Sequence, residues 1–164
     1  MKRREIVKGL AVMPLAGAIG SDLPEKAKKQ KQDEWTPKKE SIPSVYPTTA
    51  PLSLCIRSGH LVFLSGIGGW YANRRAEPGD IKVQIHSALT DMKNMLEKAG
   101  TSMANVLKVH MTVAEPNKNI AALNEVYAGF FPDPKPVRSY SGAGIDQMGR
   151  DGVLVQIDCI AYID

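Results

Sequence analysis

The chain has 164 residues, 43% of them hydrophobic, enough for one domain of ordinary size with a tail. Residues 1–44 hold ten Lys/Arg against six Asp/Glu, whereas residues 45–164 hold eleven of each; the net charge of +4 therefore lies wholly in the N-terminal segment, and the candidate domain is neutral. A neutral domain weighs against nucleic acid as a partner, the lack of CxxC, HxxxH and HExxH spacings weighs against a local metal site, and no apolar run is long enough to span a bilayer.

The chain opens with "MKRREIVKGLAVMPLAGAIG". Lys2, Arg3 and Arg4 form a charged region, a short apolar stretch runs from Leu10 to Ala18, and Ala16-Gly17-Ala18 offers an A-x-A cleavage site. This is the layout of a secretory signal. Arg3-Arg4 followed by Glu5-Ile6-Val7-Lys8 resembles the twin-arginine export motif. Residues 1–18 are therefore expected to be an export signal, and the mature protein to be periplasmic or otherwise exported, without stable membrane insertion. Residues 19–44, rich in Lys, Gln, Glu and Pro, read as a disordered linker: too few apolar groups are present to offset chain entropy. The domain is expected over 45–164.

Leu54–Arg57, the turn "SGH" and the apolar run Leu61–Ser65 predict a β-hairpin. Asp80 is a suitable N-cap, and Ile81, Ile85, Leu89, Met92, Leu96 and Ala99 recur on one helical face before Gly100. Val106–Val113 alternates, with Leu107, Val109, Met111 and Val113 on one side and Lys108, His110 and Thr112 on the other, as in a half-buried strand. A second amphipathic helix is expected from Asn119 to Phe131.

In "KPVRSYSG", Val137, Ser139 and Tyr140 favour a strand. Arg138 within it is either an edge-strand charge reaching water or a fixed guanidinium for a carboxylate or phosphate. The closing strand, Val153–Ala161, puts Val153, Val155, Ile157, Cys159 and Ala161 on one face. Its other face, with Leu154, Gln156, Asp158 and Ile160, suits solvent, a subunit interface or a cleft. The order β-β-α-β-α-β-β predicts a two-layer α/β domain with both helices on one face. His60 reads as a turn residue, and His86 on a helix and His110 on the polar face of a strand read as solvent-facing or core-edge residues without catalytic roles. Cys55 and Cys159 permit a disulfide in an exported protein and are otherwise expected as two buried thiols.

Several stretches resemble the RidA/YjgF family of reactive-intermediate deaminases. "FLSGIGG" is similar to its strand-end SGQ motif, "LNEVYAGFFPDPKPVRSY" to its NEVY…FF…RS signature, and "VLVQIDCIA" to its closing VEIEAIA. The helix and strand "GDIKVQIHSALTDMKNMLEKAGTSMANVLKVHMTV" also follows the family pattern. The resemblance spans roughly 50–164. It implies a chorismate-mutase-like domain with a six-stranded mixed sheet and two helices, assembled as a homotrimer with clefts between subunits. It further implies hydrolysis of enamine or imine acids to keto acids and ammonia, with no metal or organic cofactor; an endoribonuclease activity is also ascribed to the family. Carried over residue by residue, Ser65, Gly66 and Asn124 are expected to bind substrate and Arg138 to grip its carboxylate.

Three positions depart from the pattern. Leu52 stands where the family has a tyrosine, and Gln156 where it has the water-holding glutamate; Ile67 replaces the Gln of SGQ. An amide orients water but cannot accept its proton at neutral pH. Slow or substrate-shifted deamination and non-catalytic carboxylate binding are both compatible with Gln156, with Asp158 or Asp146 as the other carboxylates near this position.

The export reading has a direct check. Replacing Arg3 and Arg4 with lysine should leave the protein uncleaved in the cytoplasm, as read by fractionation and intact mass. A full-length, cytosolic wild-type chain would refute the signal.

Overall fold

A computed structural model describes residues 38–45, 48–69 and 80–164. The export signal expected at 1–18 and most of the expected linker lie outside the described residues. Among the described residues six strands and two α-helices build the fold: β1 (Glu40–Ser41), β2 (Cys55–Ser58), β3 (Leu61–Gly68), α1 (Ile81–Lys98), β4 (Val106–Ala114), α2 (Pro116–Tyr127), β5 (Val137–Ala143) and β6 (Val155–Tyr162). The six strands form one mixed sheet in the order β1-β2-β3-β6-β4-β5. Only β4 and β5 are parallel, and α2 supplies the crossover that parallel neighbours require. β6, last in sequence, fills the place between β3 and β4 and is antiparallel to both.

Helix α1 forms where the apolar period demanded it. The Asp80 carboxylate accepts from the Val83 N–H at 3.0 Å, which caps the first turn. Ile81, Ile85, Leu89, Met92 and Leu96 are buried, and Gly100 at φ 82° closes the helix in the left-handed region. Gln84 lies in the same stripe and is fully buried. Its Nε2 donates to the Gly152 carbonyl at 2.6 Å, and its Oε1 accepts from the Leu154 N–H at 2.7 Å. One side chain thus satisfies two backbone groups at the start of β6 and fixes where that strand begins.

The core lies between the helices and one sheet face, where Val62, Leu64, Val109, Met111, Val113, Val155 and Ile157 are buried. The opposite face is open. It carries an apolar end, with Phe63 at 40% exposure and half-buried Ile160, and a polar end with His110, Thr112, Gln156 and Asp158.

Several expectations shift. The sheet begins inside the segment expected as linker: Glu40 and Ser41 pair with Arg57 and Ile56, and the Ile42 N–H donates to the Cys55 carbonyl. Ile42 and Val45 carry the apolar surface that lets this short stretch pack on the core. Helix α2 starts at Pro116, not Asn119, because proline's fixed φ and missing N–H suit a first helical position. Leu107, expected beside Val109, is 47% exposed: a register shift between Val106 and Lys108 turns it outward. Leu154, expected on the outer face, is buried because it precedes the strand proper and sits against α1 through Gln84.

The two thiols are free and buried. Cys55 pairs with Leu64, and Leu64 pairs with Cys159, so a whole strand separates them. Two strand spacings are about 10 Å, beyond the ~7 Å limit for a bridge. Burial pushes Cys55 up to about 11 and Cys159 up to about 12 from the ordinary 9.0. The folded chain therefore holds thiol protons that the unfolded chain releases, so stability should fall as pH rises from about 9 toward 11–12. Neither thiol should react with a thiol-exchange reagent at pH 8 until urea unfolds the chain, when both should. Rapid labelling of the native protein would contradict this core placement.

Candidate functional site

A cleft of about 850 Å³ opens beside the C-terminal half of β3. Its shape begins with an irregularity: the β3–β6 register shifts between Leu64 and Ile67, which lifts Ser65 and Gly66 out of regular pairing. The Ser65 N–H still donates to the Leu54 carbonyl at 2.9 Å, so the distortion is held in place. Gly66 is required by the neighbour it faces. A Cβ there would stand 2.8 Å from both Cδ and Nε2 of Gln156. The bare glycine thus lets the Gln156 amide lie against the β3 backbone at the cleft wall.

Leu52, Leu54, Ile67, Met95 and Met148 give the cleft apolar walls; Ser65, Gln156, Asp91 and Arg150 supply its polar groups. Leu52 and Ile67, the two apolar departures from the family pattern, both line it. Arg150 arrives on the loop before β6, the segment anchored by Gln84.

Arg138 and Asn124 are elsewhere. Arg138 pairs with Val109, a core-facing residue, so its side chain leaves edge strand β5 on the helix side. Its guanidinium carbon stands 4.5 Å from the centre of the Tyr127 ring, in cation–π geometry. Tyr127, on α2, is 6% exposed; its hydroxyl has no hydrogen-bond partner among the described residues. Burial pushes that phenol up to about 12, against the opposing pull of Arg138. Asn124, exposed, lies one turn earlier on α2. Gln156, by contrast, pairs with Thr112 on the open face, with β4 between β6 and β5.

The predicted site residues therefore fall into two groups. Ser65, Gly66 and Gln156 come together in the cleft. Arg138 and Asn124 lie on β5 and α2, away from the cleft; Arg138 leaves the sheet on the opposite face from Gln156, two strand spacings or about 10 Å away. Asp158 points to the open face and is engaged by His110, while Asp146 lies on the turn Ile145–Gln147 outside the cleft. Gln84, Tyr127 and Arg150 went unassigned in the sequence. Gln84 alone left a signal, an amide inside an otherwise apolar helical stripe. Among the described residues no group of three or more His, Cys, Asp or Glu could hold a metal ion, and no helix is long and apolar enough to cross a membrane.

Residues 44–163 match the family model described as "Endoribonuclease L-PSP". The chain belongs to this family, the one that carries the RidA/YjgF resemblance. It is 35% identical over 113 residues to a RutC family protein of Pyrococcus horikoshii, covering 68% of this chain and 86% of that one. It is 30% identical over 125 residues to the 2-iminobutanoate/2-iminopropanoate deaminase of Dermatophagoides farinae, covering 76% and 94%. The crystal structure of yeast Mmf1 superposes with a TM-score of 0.68 at 25% identity, covering 77% of this chain and all of the other.

Gly66→Ala tests the cleft wall. The added methyl meets only the movable end of Gln156, so folding stability should change by less than ~1 kcal/mol while the amide is displaced. Keto-acid affinity, read by calorimetry, should fall about ten-fold or more. Unchanged binding would remove Gln156 from the site.

Proposed function

We propose that this protein hydrolyses small 2-imino or enamine acids to keto acids and ammonia, at a low rate, in clefts shared between copies of the chain. One observation carries this reading: the candidate anion clamp Arg138 and the candidate water-orienting Gln156 leave opposite faces of one sheet. A single chain cannot bring them to one substrate, so a second copy supplies Arg138 to the cleft of the first, and three copies close the ring. The relative carrying a 2-iminobutanoate/2-iminopropanoate deaminase name supports the reaction class.

In this reading Arg138 pairs with the substrate carboxylate through two parallel N–H···O bonds. The aromatic face of Tyr127 beneath the guanidinium holds it flat and limits its rotation. The imine carbon then lies over Gln156, Ser65 and Gly66. Gln156 orients a water by hydrogen bonding; the water adds to the carbon, a proton passes to the nitrogen, and ammonia leaves as the carbonyl forms. Lacking a carboxylate at this position, the site forgoes general-base help worth ~10²–10⁴-fold. The apolar walls from Leu52 and Ile67 suit substrates with an aliphatic side chain. In the export reading this chemistry takes place in the periplasm.

Gln156 also supports a second reading, a trimer that binds small carboxylates without turning them over. An endoribonuclease activity is disfavoured by the neutral domain, with eleven Lys/Arg against eleven Asp/Glu over 45–164.

Light scattering should give about three times the monomer mass. Arg138→Ala should abolish keto-acid binding, a loss of about 2–5 kcal/mol, and Arg138→Lys should not restore it. Gln156→Glu should raise ammonia release from freshly generated imino acids about ten-fold or more. Binding without hydrolysis in either form would favour the second reading, and a stable monomer would refute the shared cleft.

A further inference from the structure

Edge strand β5 carries a second large side chain beside Arg138. Tyr140 pairs with the buried Met111 as Arg138 pairs with the buried Val109, so both side chains leave β5 on the helix side, two residues apart. Two residues of a parallel strand advance about 6.6 Å. Helix α2 touches this face on either side of Tyr140. The Tyr127 ring lies against Arg138 at 4.5 Å, and a Cβ on Gly142 would stand 2.9 Å from Pro116 Cγ. Tyr140, between these contacts, is still 48% exposed in the single chain, so α2 leaves it largely uncovered. Its hydroxyl makes no hydrogen bond among the described residues. A phenol of this kind, half apolar ring and half unpaired hydroxyl, suits a surface that another copy closes over.

We propose that Tyr140 is a specificity-determining residue of the shared cleft, whose phenol recognises the keto or imino group next to the carboxylate that Arg138 grips. The inference rests on the shared-cleft reading above: the copy that lends Arg138 to a neighbouring cleft lends Tyr140 with it. The receiving cleft is apolar at Leu52, Leu54 and Ile67, so a hydroxyl brought by the other copy stands out against its walls. Two hydrogen bonds of about 2.8 Å and the short span from C1 to C2 of a 2-keto acid bridge the gap between guanidinium and phenol. The guanidinium takes the carboxylate. The phenol O–H donates to the keto oxygen, or to the lone pair of an imine nitrogen. A plain carboxylic acid offers no acceptor there and leaves the hydroxyl unpaired in a closed cleft, which is how a polar site rejects an analogue.

The test is calorimetry on the full chain with 2-oxobutanoate and butanoate, which differ only in the keto oxygen. The wild type should bind 2-oxobutanoate about ten-fold more tightly than butanoate. Tyr140→Phe keeps the ring and removes the hydroxyl. It should lower 2-oxobutanoate affinity about ten-fold, leave butanoate affinity unchanged and leave the assembly mass by light scattering unchanged. Arg138→Ala should instead abolish binding of both. Unaltered 2-oxobutanoate binding in Tyr140→Phe, or an equal loss for both ligands, would overturn the role of Tyr140 while leaving the Arg138 clamp standing. A wild type that binds neither ligand would overturn the shared-cleft reading, and this inference with it.

Discussion

The rest of the molecule depends on the register of β6. This strand is hydrogen-bonded along both edges, to β3 and β4, and its alternation divides the protein into two worlds. Val155, Ile157, Cys159 and Ala161 complete the core, while Gln156 and Asp158 face outward. A slip of one residue would exchange the two sets, burying an amide and a carboxylate and exposing four apolar side chains. The slip is blocked at the start of the strand. Gln84 holds the Gly152 carbonyl and the Leu154 N–H at 2.6 and 2.7 Å, and losing either bond would leave a backbone group unsatisfied at a cost of about 1–3 kcal/mol. One buried amide on a helix thus helps set which β6 residues reach the chemistry.

The cleft follows from that register together with a local irregularity. The shift between Leu64 and Ile67 in β3 moves Ser65 and Gly66 toward the cleft, and the missing Cβ of Gly66 admits Gln156. Regular pairing there would make a flat sheet with no recess. At the far edge, β5 is exposed to solvent along one side, yet Arg138 turns to the helix layer and lies on Tyr127. Stacking on an aromatic face keeps a guanidinium pre-oriented while leaving its N–H groups available for an anion. Within one chain Arg138 and Gln156, the two halves of the proposed site, leave opposite faces of the sheet. That geometry is the physical reason for reading the site as shared.

The open face shows how a sheet collects chemistry from distant sequence. Asp158, His110 and Ser141 belong to three strands and come within hydrogen-bond range because β6, β4 and β5 are neighbours. The same face carries Phe63 and Ile160 at its other end, so apolar and polar groups are segregated along the strands.

Local pattern determined a large part of this protein. The 3.6-residue stripe of α1 with its Asp80 cap, the β2–β3 hairpin and the alternation of β6 were all legible because each depends on near neighbours in the chain. The family motifs added the six-stranded sheet with helices on one face. Other features depend on which strands lie side by side, and the sequence is silent on that. Cys55 and Cys159 both read as buried, but only the intervening Leu64 decides that they cannot bond. Leu107 has the right parity for the core, but a bulge against β6 turns it out. Arg138 and Gln156 read as one site, yet pairing with Val109 and Thr112 sends them to opposite faces. His110 reads as a strand-surface residue and is one, but only the neighbouring strands bring Asp158 and Ser141 within 3.2 Å of its ring. In each case the deciding partner is remote in sequence, and only the closed hydrogen-bond ladder of the sheet brings it into contact.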